Sequence, residues 1–302
     1  MMKYQVVLKW LIPLIGLLAL FAAGMGLFYQ TSGQPYSYTN HRGETVTING
    51  HGLYQWDTVS YVAQMQGNDL ITLVVGLPLL AISFWLASRG SLRGLLLLTG
   101  TLGFFLYTYL SMSMLAAYNS LFLVYVALFG ISLFAFILSM LSVDLAELPQ
   151  HFSSSLPHRW IAGMLFVVGG FLLFVWLGRI VPPLFQNQTP VLENATTLVI
   201  QAMDLALIVP LAILSGILLL RRSAWGYLLA SVFVMKSITL GLAVSMMAIN
   251  MARAGIPDSL GLMIPFMVIM LINLVMAVVL LKNVETPFPI ALSVGTATTP
   301  AQ

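Results

Sequence analysis

Leu11-Ile-Pro-Leu-Ile-Gly-Leu-Leu-Ala-Leu-Phe-Ala-Ala-Gly-Met-Gly-Leu-Phe-Tyr29 contains no ionisable acid or base. At a rise of about 1.5 Å per residue, a helix of this length spans most of the ~30 Å hydrocarbon core of a bilayer. Similar runs recur along the chain, predicting spans at 8–29, 70–88, 94–117, 121–142, 160–181, 196–220, 225–250 and 259–281. They are too long and too uniformly apolar for barrel strands, so the predicted fold is all-α, a polytopic transmembrane helix bundle of about eight spans. With 60% hydrophobic and 7% charged residues and a mean hydropathy of +0.98, a water-soluble fold would expose far too much apolar surface.

Lys3 and Lys9 ahead of an apolar stretch containing Ala22, Ala23 and Gly24 have the outline of a secretory signal. The stretch exceeds the about 7–15 residues of a signal core, however, so it is expected to remain as the first span. Sorting the basic residues by gap sets the orientation. Lys3, Lys9, Arg89, Arg93, Arg159, Arg221, Arg222 and Lys282 share one face if every run crosses, whereas Arg42 and Arg253 fall on the other. The positive-inside bias then predicts a multi-pass protein of the cell membrane with both termini cytoplasmic. The same bias explains the net charge of +3 and pI near 9.2 without a nucleic-acid partner; membrane lipids are the expected surroundings. The absence of cysteine excludes disulfides, thiolate metal sites and iron–sulfur clusters.

Residues 1–285 read as one transmembrane domain and 286–302 as a disordered cytoplasmic tail of small polar residues. Most connectors are short, but 30–69 is long enough to form a small extracytoplasmic cap between spans one and two. Tyr36 and Tyr38, then Thr45 and Thr47, alternate around His41-Arg42-Gly43, predicting a β-hairpin over 35–49. Val59, Val62, Ala63 and Gln66 then predict a cap helix over 57–66, with Asp57 as its N-cap and Asn68 or Asp69 capping the second span. Such a cap could also receive a protein partner. Asn194-Ala-Thr matches a glycosylation acceptor but lies almost at the membrane surface.

Chemistry in such a chain is sought among polar groups within the apolar runs. Arg179, Asp204 and Lys236 are the ionisable residues there, and an unpaired charge at bilayer depth costs on the order of 3 kcal/mol, so they should face inward and find partners. Counting residues from the Arg221–Trp225 turn leaves Asp204 and Lys236 about 10 Å apart in depth, whereas counting from Ala195 puts them level, so Asp204 is expected between two cations with Arg179 the slightly better partner. Gln201 and Thr239, one turn from Asp204 and Lys236, complete the candidate substrate or ion site. Ser237, Gly241 and Ser245 form a small-residue stripe for close helix approach, and Asn250 and Asn273 add hydrogen-bonding groups. The hydroxyls of spans three and four, Tyr107 among them, read as packing.

No His lies inside a predicted span, and the strings of serine hydrolases, zincins and P-loop enzymes are missing, so no cofactor, metal or catalytic residue is expected. His41, Glu44, His51 and Asp57 are a weak external set for metal or acid–base work. Lys236 could form a Schiff base of the retinal type, but nothing around it matches that pattern. Through Trp225-Gly-Tyr-Leu-Leu-Ala and Lys236-Ser-Ile-Thr-Leu-Gly the chain resembles uncharacterised multi-pass bacterial integral membrane proteins, a resemblance that implies no substrate or activity.

Three functional expectations remain. The first is a transporter or permease-like carrier of a small molecule or ion with the charged site at its centre. The second is a noncatalytic scaffold or sensor using the 30–69 segment, with the charges structural. The third is a membrane enzyme acting on a lipid or lipid-linked substrate. No inverted repeat or pair of broken spans stands out, although Pro13, Pro78, Pro210 and Pro265 could kink four helices. The orientation has a direct check: a cysteine at Thr47 should react with an impermeant thiol reagent on intact cells, and one at Ser91 should not. Labelling of the Ser91 position from outside would reverse the topology.

Overall fold

The structure, a computed structural model, describes residues 4–257 and 259–285; the tail expected at 286–302 lies outside them. Among the described residues, eight helices are long and apolar enough to cross a membrane: α1 (Gln5–Phe28), α2 (Val59–Ser88), α3 (Leu92–Leu115), α4 (Phe122–Met140), α5 (His158–Phe185), α6 (Val199–Leu220), α7 (Ala224–Arg253) and α8 (Ile264–Lys282, in a helix that begins at Ser259). This is the all-α polytopic bundle that the hydropathy predicts. α3 has the most enclosed apolar window, 72% buried inside the protein, and packs on α2, α4 and α7.

The predicted hairpin is present. β1 (Tyr36–Thr39) pairs antiparallel with β2 (Thr45–Ile48), Tyr38 opposite Val46, and Gly43 at φ 82° takes the left-handed turn position that suits a residue without Cβ. The rest of the 30–69 segment differs from expectation. Thr58, not Asp57, caps α2 by accepting from the Tyr61 N–H, and the helix then runs without a break through Asn68 and Asp69, which are buried in its middle. Val62, Ala63 and Met65 explain the difference: their apolar face is buried, so this stretch forms the hairpin-side end of the second span instead of a separate surface helix.

The hairpin docks on the α5–α6 connection. Asn40 Nδ2 and Arg42 Nη2 each donate to the Glu193 carbonyl at 2.7 Å, Arg42 also reaches the Ala195 carbonyl at 3.1 Å, and Thr58 Oγ1 donates to the Glu193 carboxylate. Asn194 of the glycosylation string donates to the Trp56 carbonyl at 3.0 Å. At the other end of the bundle, Arg93 clamps the Val284 carbonyl at 2.6 and 2.8 Å, and His158 Nε2 lies 2.8 Å from the Tyr227 hydroxyl, so that histidine is engaged and not simply solvated.

α2 and α6 are each broken by one π turn, at Thr72–Gly76 and Asp204–Ile208. Pro78 and Pro210 each follow closely on such a turn, whereas Pro13 and Pro265 lie inside α1 and α8 without one. Proline donates no backbone hydrogen bond and its ring collides with the carbonyl four residues earlier, in these two helices Val74 and Ala206, where the helix is widened. The likeness continues down the chain. Ser83 and Ser215, Arg89 and Arg221, Gly90 and Arg222 (both at positive φ, 83° and 52°), Ser91 and Ser223, and Gly94 and Gly226 keep the same separation as the two prolines. Ser91 and Ser223 cap α3 and α7 by accepting from the N–H of Gly94 and Gly226, and each glycine lies against the backbone of the preceding helix. The α2–α3 and α6–α7 hairpins are therefore a parallel internal repeat. α3 packs on α7 between them, with α2 on α7 and α6 on α3 as reciprocal contacts.

Asp57 ties the cap to the α3–α4 turn. Its Oδ1 accepts from the Ala117 N–H at 3.0 Å, its Oδ2 is buried without a hydrogen bond, and burial pushes its pKa from 3.8 to about 6. The folded state therefore holds this proton at pH values where the unfolded chain has released it. The stabilisation is full at acid pH and declines as the pH rises from 3.8 to about 6. The thermal midpoint of the purified protein should accordingly fall across that window, and by less in Asp57→Asn. Equal pH profiles for the two proteins would remove Asp57 from the account.

Candidate functional site

Asp204 opens the π turn of α6 and is 6% exposed. Its carboxylate is held by two neutral donors: the Tyr107 hydroxyl from α3 at 2.7 Å to Oδ1, and Trp176 Nε1 from α5 at 2.9 Å to Oδ2. Lys236 of α7, also 6% exposed, places Nζ 4.2 Å from the centroid of the same Tyr107 ring. A desolvated ammonium over an aromatic face gains about 2 kcal/mol, yet among the described residues Nζ has no hydrogen-bond acceptor. Side chains of four helices thus meet here, and Tyr107 is shared: its hydroxyl serves the acid and its ring serves the base.

Small residues make the convergence possible. Gly103, one turn before Tyr107, faces the Lys236 stem at ordinary contact distance, since a Cβ there would lie 3.6 Å from Lys236 Cγ. At Gly100 the fit is tighter, since a Cβ would press on Met235 Cβ and come within 2.9 Å of the Lys236 backbone nitrogen. The predicted stripe on α7 acts similarly toward α8. Gly241 lies against Met270, and Asn273 Nδ2 donates to the Val234 carbonyl at 2.9 Å.

Of the expected site residues, the structure brings Asp204 and Lys236 together and keeps Gln201 buried one turn before Asp204. Thr239 is fully buried, but its hydroxyl donates to the Lys236 backbone carbonyl at 2.9 Å and so serves its own helix. Arg179 is not part of the cluster. It is exposed, and Nη2 donates to the Val191 carbonyl at 2.7 Å, because six residues from the helix end its long side chain reaches the connecting loop more easily than the bundle interior. Among the described residues the ion pair within 4.0 Å is Arg42–Glu44 at 3.4 Å, so Asp204 and Lys236 interact through Tyr107 and not by direct contact.

The external set is dispersed as well. Glu44 accepts from Asn40 at 2.8 Å, His51 Nδ1 lies 2.9 Å from the Asn49 carbonyl, and Asp57 faces Ala117. Among the described residues no three His, Asp or Glu side chains gather as a metal site. No protein-family model, curated protein or solved structure matches the chain. Its eight apolar helices make it a multi-pass membrane protein, and its centre is polar.

The two glycines of α3 make opposite predictions. Gly100→Ala forces α7 outward and should destabilise by about 1–3 kcal/mol. Gly103→Ala meets nothing closer than Phe136 Cε2 at 3.4 Å and should be neutral or slightly stabilising, since alanine is the better helix former. Thermal unfolding of both variants in detergent would check the contrast, and equal midpoints would contradict the close α3–α7 approach.

Proposed function

We propose that the protein is a carrier of the cell membrane whose intramembrane site is formed by Asp204, Tyr107, Trp176 and Lys236, with the hairpin end outside. The observation that carries this reading is the buried Lys236 ammonium, without an acceptor among the described residues, beside a carboxylate satisfied only by neutral donors. A purely structural network would be expected to close the ion pair, because a buried charge is stabilised best by direct contact with its opposite. Here Lys236 keeps its three N–H groups for an acceptor that arrives from elsewhere, such as an anionic substrate group.

Broken helices in corresponding positions of two repeats support the reading, since such breaks commonly mark a transporter's binding level. The π turn at Asp204–Ile208 gives α6 a place to rearrange at the height of the site. When Asp204 takes up a proton, its hold on Tyr107 and Trp176 changes, and with it the packing of α3 and α5 on α6. That couples protonation to helix movement without a separate gate. Greater basic density at the end bearing Arg89, Arg221 and Arg222 supports placing that end in the cytoplasm.

The test is reconstitution into liposomes containing an internal pH dye. Wild-type protein should speed the decay of an imposed pH gradient, Asp204→Asn should abolish this while remaining inserted, and Tyr107→Phe, which keeps the ring under Lys236, should slow it. The structural alternative expects no flux in any of them and a stability loss of a few kcal/mol in Asp204→Asn. Flux equal to wild type in both variants would remove these residues from the transport path.

A further inference from the structure

The geometry points to a second intramembrane site, for a dehydrated monovalent cation of the sodium type, built by Asp69 and Thr72 of α2 with Tyr54 of the cap and Tyr125 of α4. It stands apart from the Asp204 centre and does not rest on what that centre carries. Asp69 is 3% exposed, and its Oδ2 accepts from the Tyr54 hydroxyl at 2.7 Å. α1 yields space for this carboxylate at Gly26, where any Cβ would overlap Oδ2 and lie 2.6 Å from the Tyr54 oxygen. No described Lys, Arg or His comes within 4.0 Å of Asp69, so among the described residues the Tyr54 hydroxyl is the donor that meets its charge.

Two further oxygens there make no hydrogen bond among the described residues. Thr72, one turn along the same helix face, is 1% exposed and its Oγ1 makes no hydrogen bond. Buried helical threonines usually bond back to the preceding turn, as Thr99 and Thr101 do to the Leu95 and Leu97 carbonyls at 2.8 Å. The Tyr125 hydroxyl is buried beside Tyr54 and Asn119 and within electrostatic reach of Asp69, and makes no hydrogen bond within 3.5 Å among the described residues.

A proton on Asp69 would cancel the charge but could satisfy one acceptor at most, leaving the other hydroxyl idle. A cation engages all of these oxygens together. One carboxylate with three neutral hydroxyls is an all-oxygen, singly charged donor set, which suits a hard monovalent ion better than a divalent one. Thr72 also opens the π turn, and irregular turns within spans commonly lend backbone carbonyls to sodium. At the hairpin end a small pocket lined by His51, Gln66 and Val62 shares Tyr54 and Gly26 with the site, and Asp69, Thr72 and Tyr125 do not line it.

Thermal unfolding of the full-length protein in detergent, at fixed pH and ionic strength, tests the site with sodium chloride against choline chloride. Sodium should raise the midpoint saturably, and isothermal calorimetry should register the same binding. Thr72→Val, which keeps the side-chain shape but removes the oxygen, should raise the half-saturating concentration about tenfold. Asp69→Asn should abolish the response, and Asp204→Asn should retain it. If Asp69→Asn fails to fold, Thr72→Val carries the test alone. Equal midpoints in sodium and choline, a response to pH but not to sodium, or wild-type affinity in Thr72→Val would overturn the assignment. Loss of the sodium response in Asp204→Asn would overturn it too, by moving the ion to the other site.

Discussion

A helix in lipid must satisfy its backbone hydrogen bonds within itself, and α2 and α6 each carry a proline that removes one. Both solve the problem by widening into a π turn just before Pro78 and Pro210. The rest of the polar architecture follows from that constraint. A widened turn rotates the residues before it relative to those after it, and Asp204 opens one turn while Asp69 precedes the other by three positions. Acidic groups are thus placed at the levels where the helices are least regular.

Close helix approach then determines what surrounds each acid. Gly100 lets α7 run against α3, which brings the Lys236 stem under the Tyr107 ring; Gly26 does the same for the Asp69 carboxylate against α1. In lipid, such contacts gain from dispersion and hydrogen bonding, since apolar surface there is already solvated by hydrocarbon. At the hairpin end, Arg42 and Asn40 converge on the Glu193 carbonyl and join the two halves of the repeat there.

Much of the site was legible and some was not, for separate physical reasons. Asp204 and Lys236 stood out because an ionisable residue within an apolar run must be explained. Tyr107 did not, because its span contains many hydroxyls that can bond to their own helix, as Ser111 does to the Thr108 carbonyl. Trp176 was hidden among aromatic residues that lipid alone accommodates. Arg179 misled because linear position says that it lies within an apolar run but not that a loop carbonyl is closer. The repeat was visible in the spacing of Pro78, Ser83, Arg89, Ser91 and Gly94 against Pro210, Ser215, Arg221, Ser223 and Gly226, but a search for inverted symmetry passes over a parallel one.

By itself the sequence determined the class, the number of spans and the hairpin, because hydropathy, run length and alternation are local properties that the solvent and backbone geometry read directly. The sidedness we propose rests on it as well, through the distribution of Lys and Arg. Only the tertiary structure decided that Tyr107 stands between acid and base, that Arg179 leaves the cluster, and that the Thr72 and Tyr125 hydroxyls near Asp69 make no hydrogen bond among the described residues. Those outcomes depend on which helix faces meet and how closely, and that is set by glycines and proline-widened turns on several helices at once.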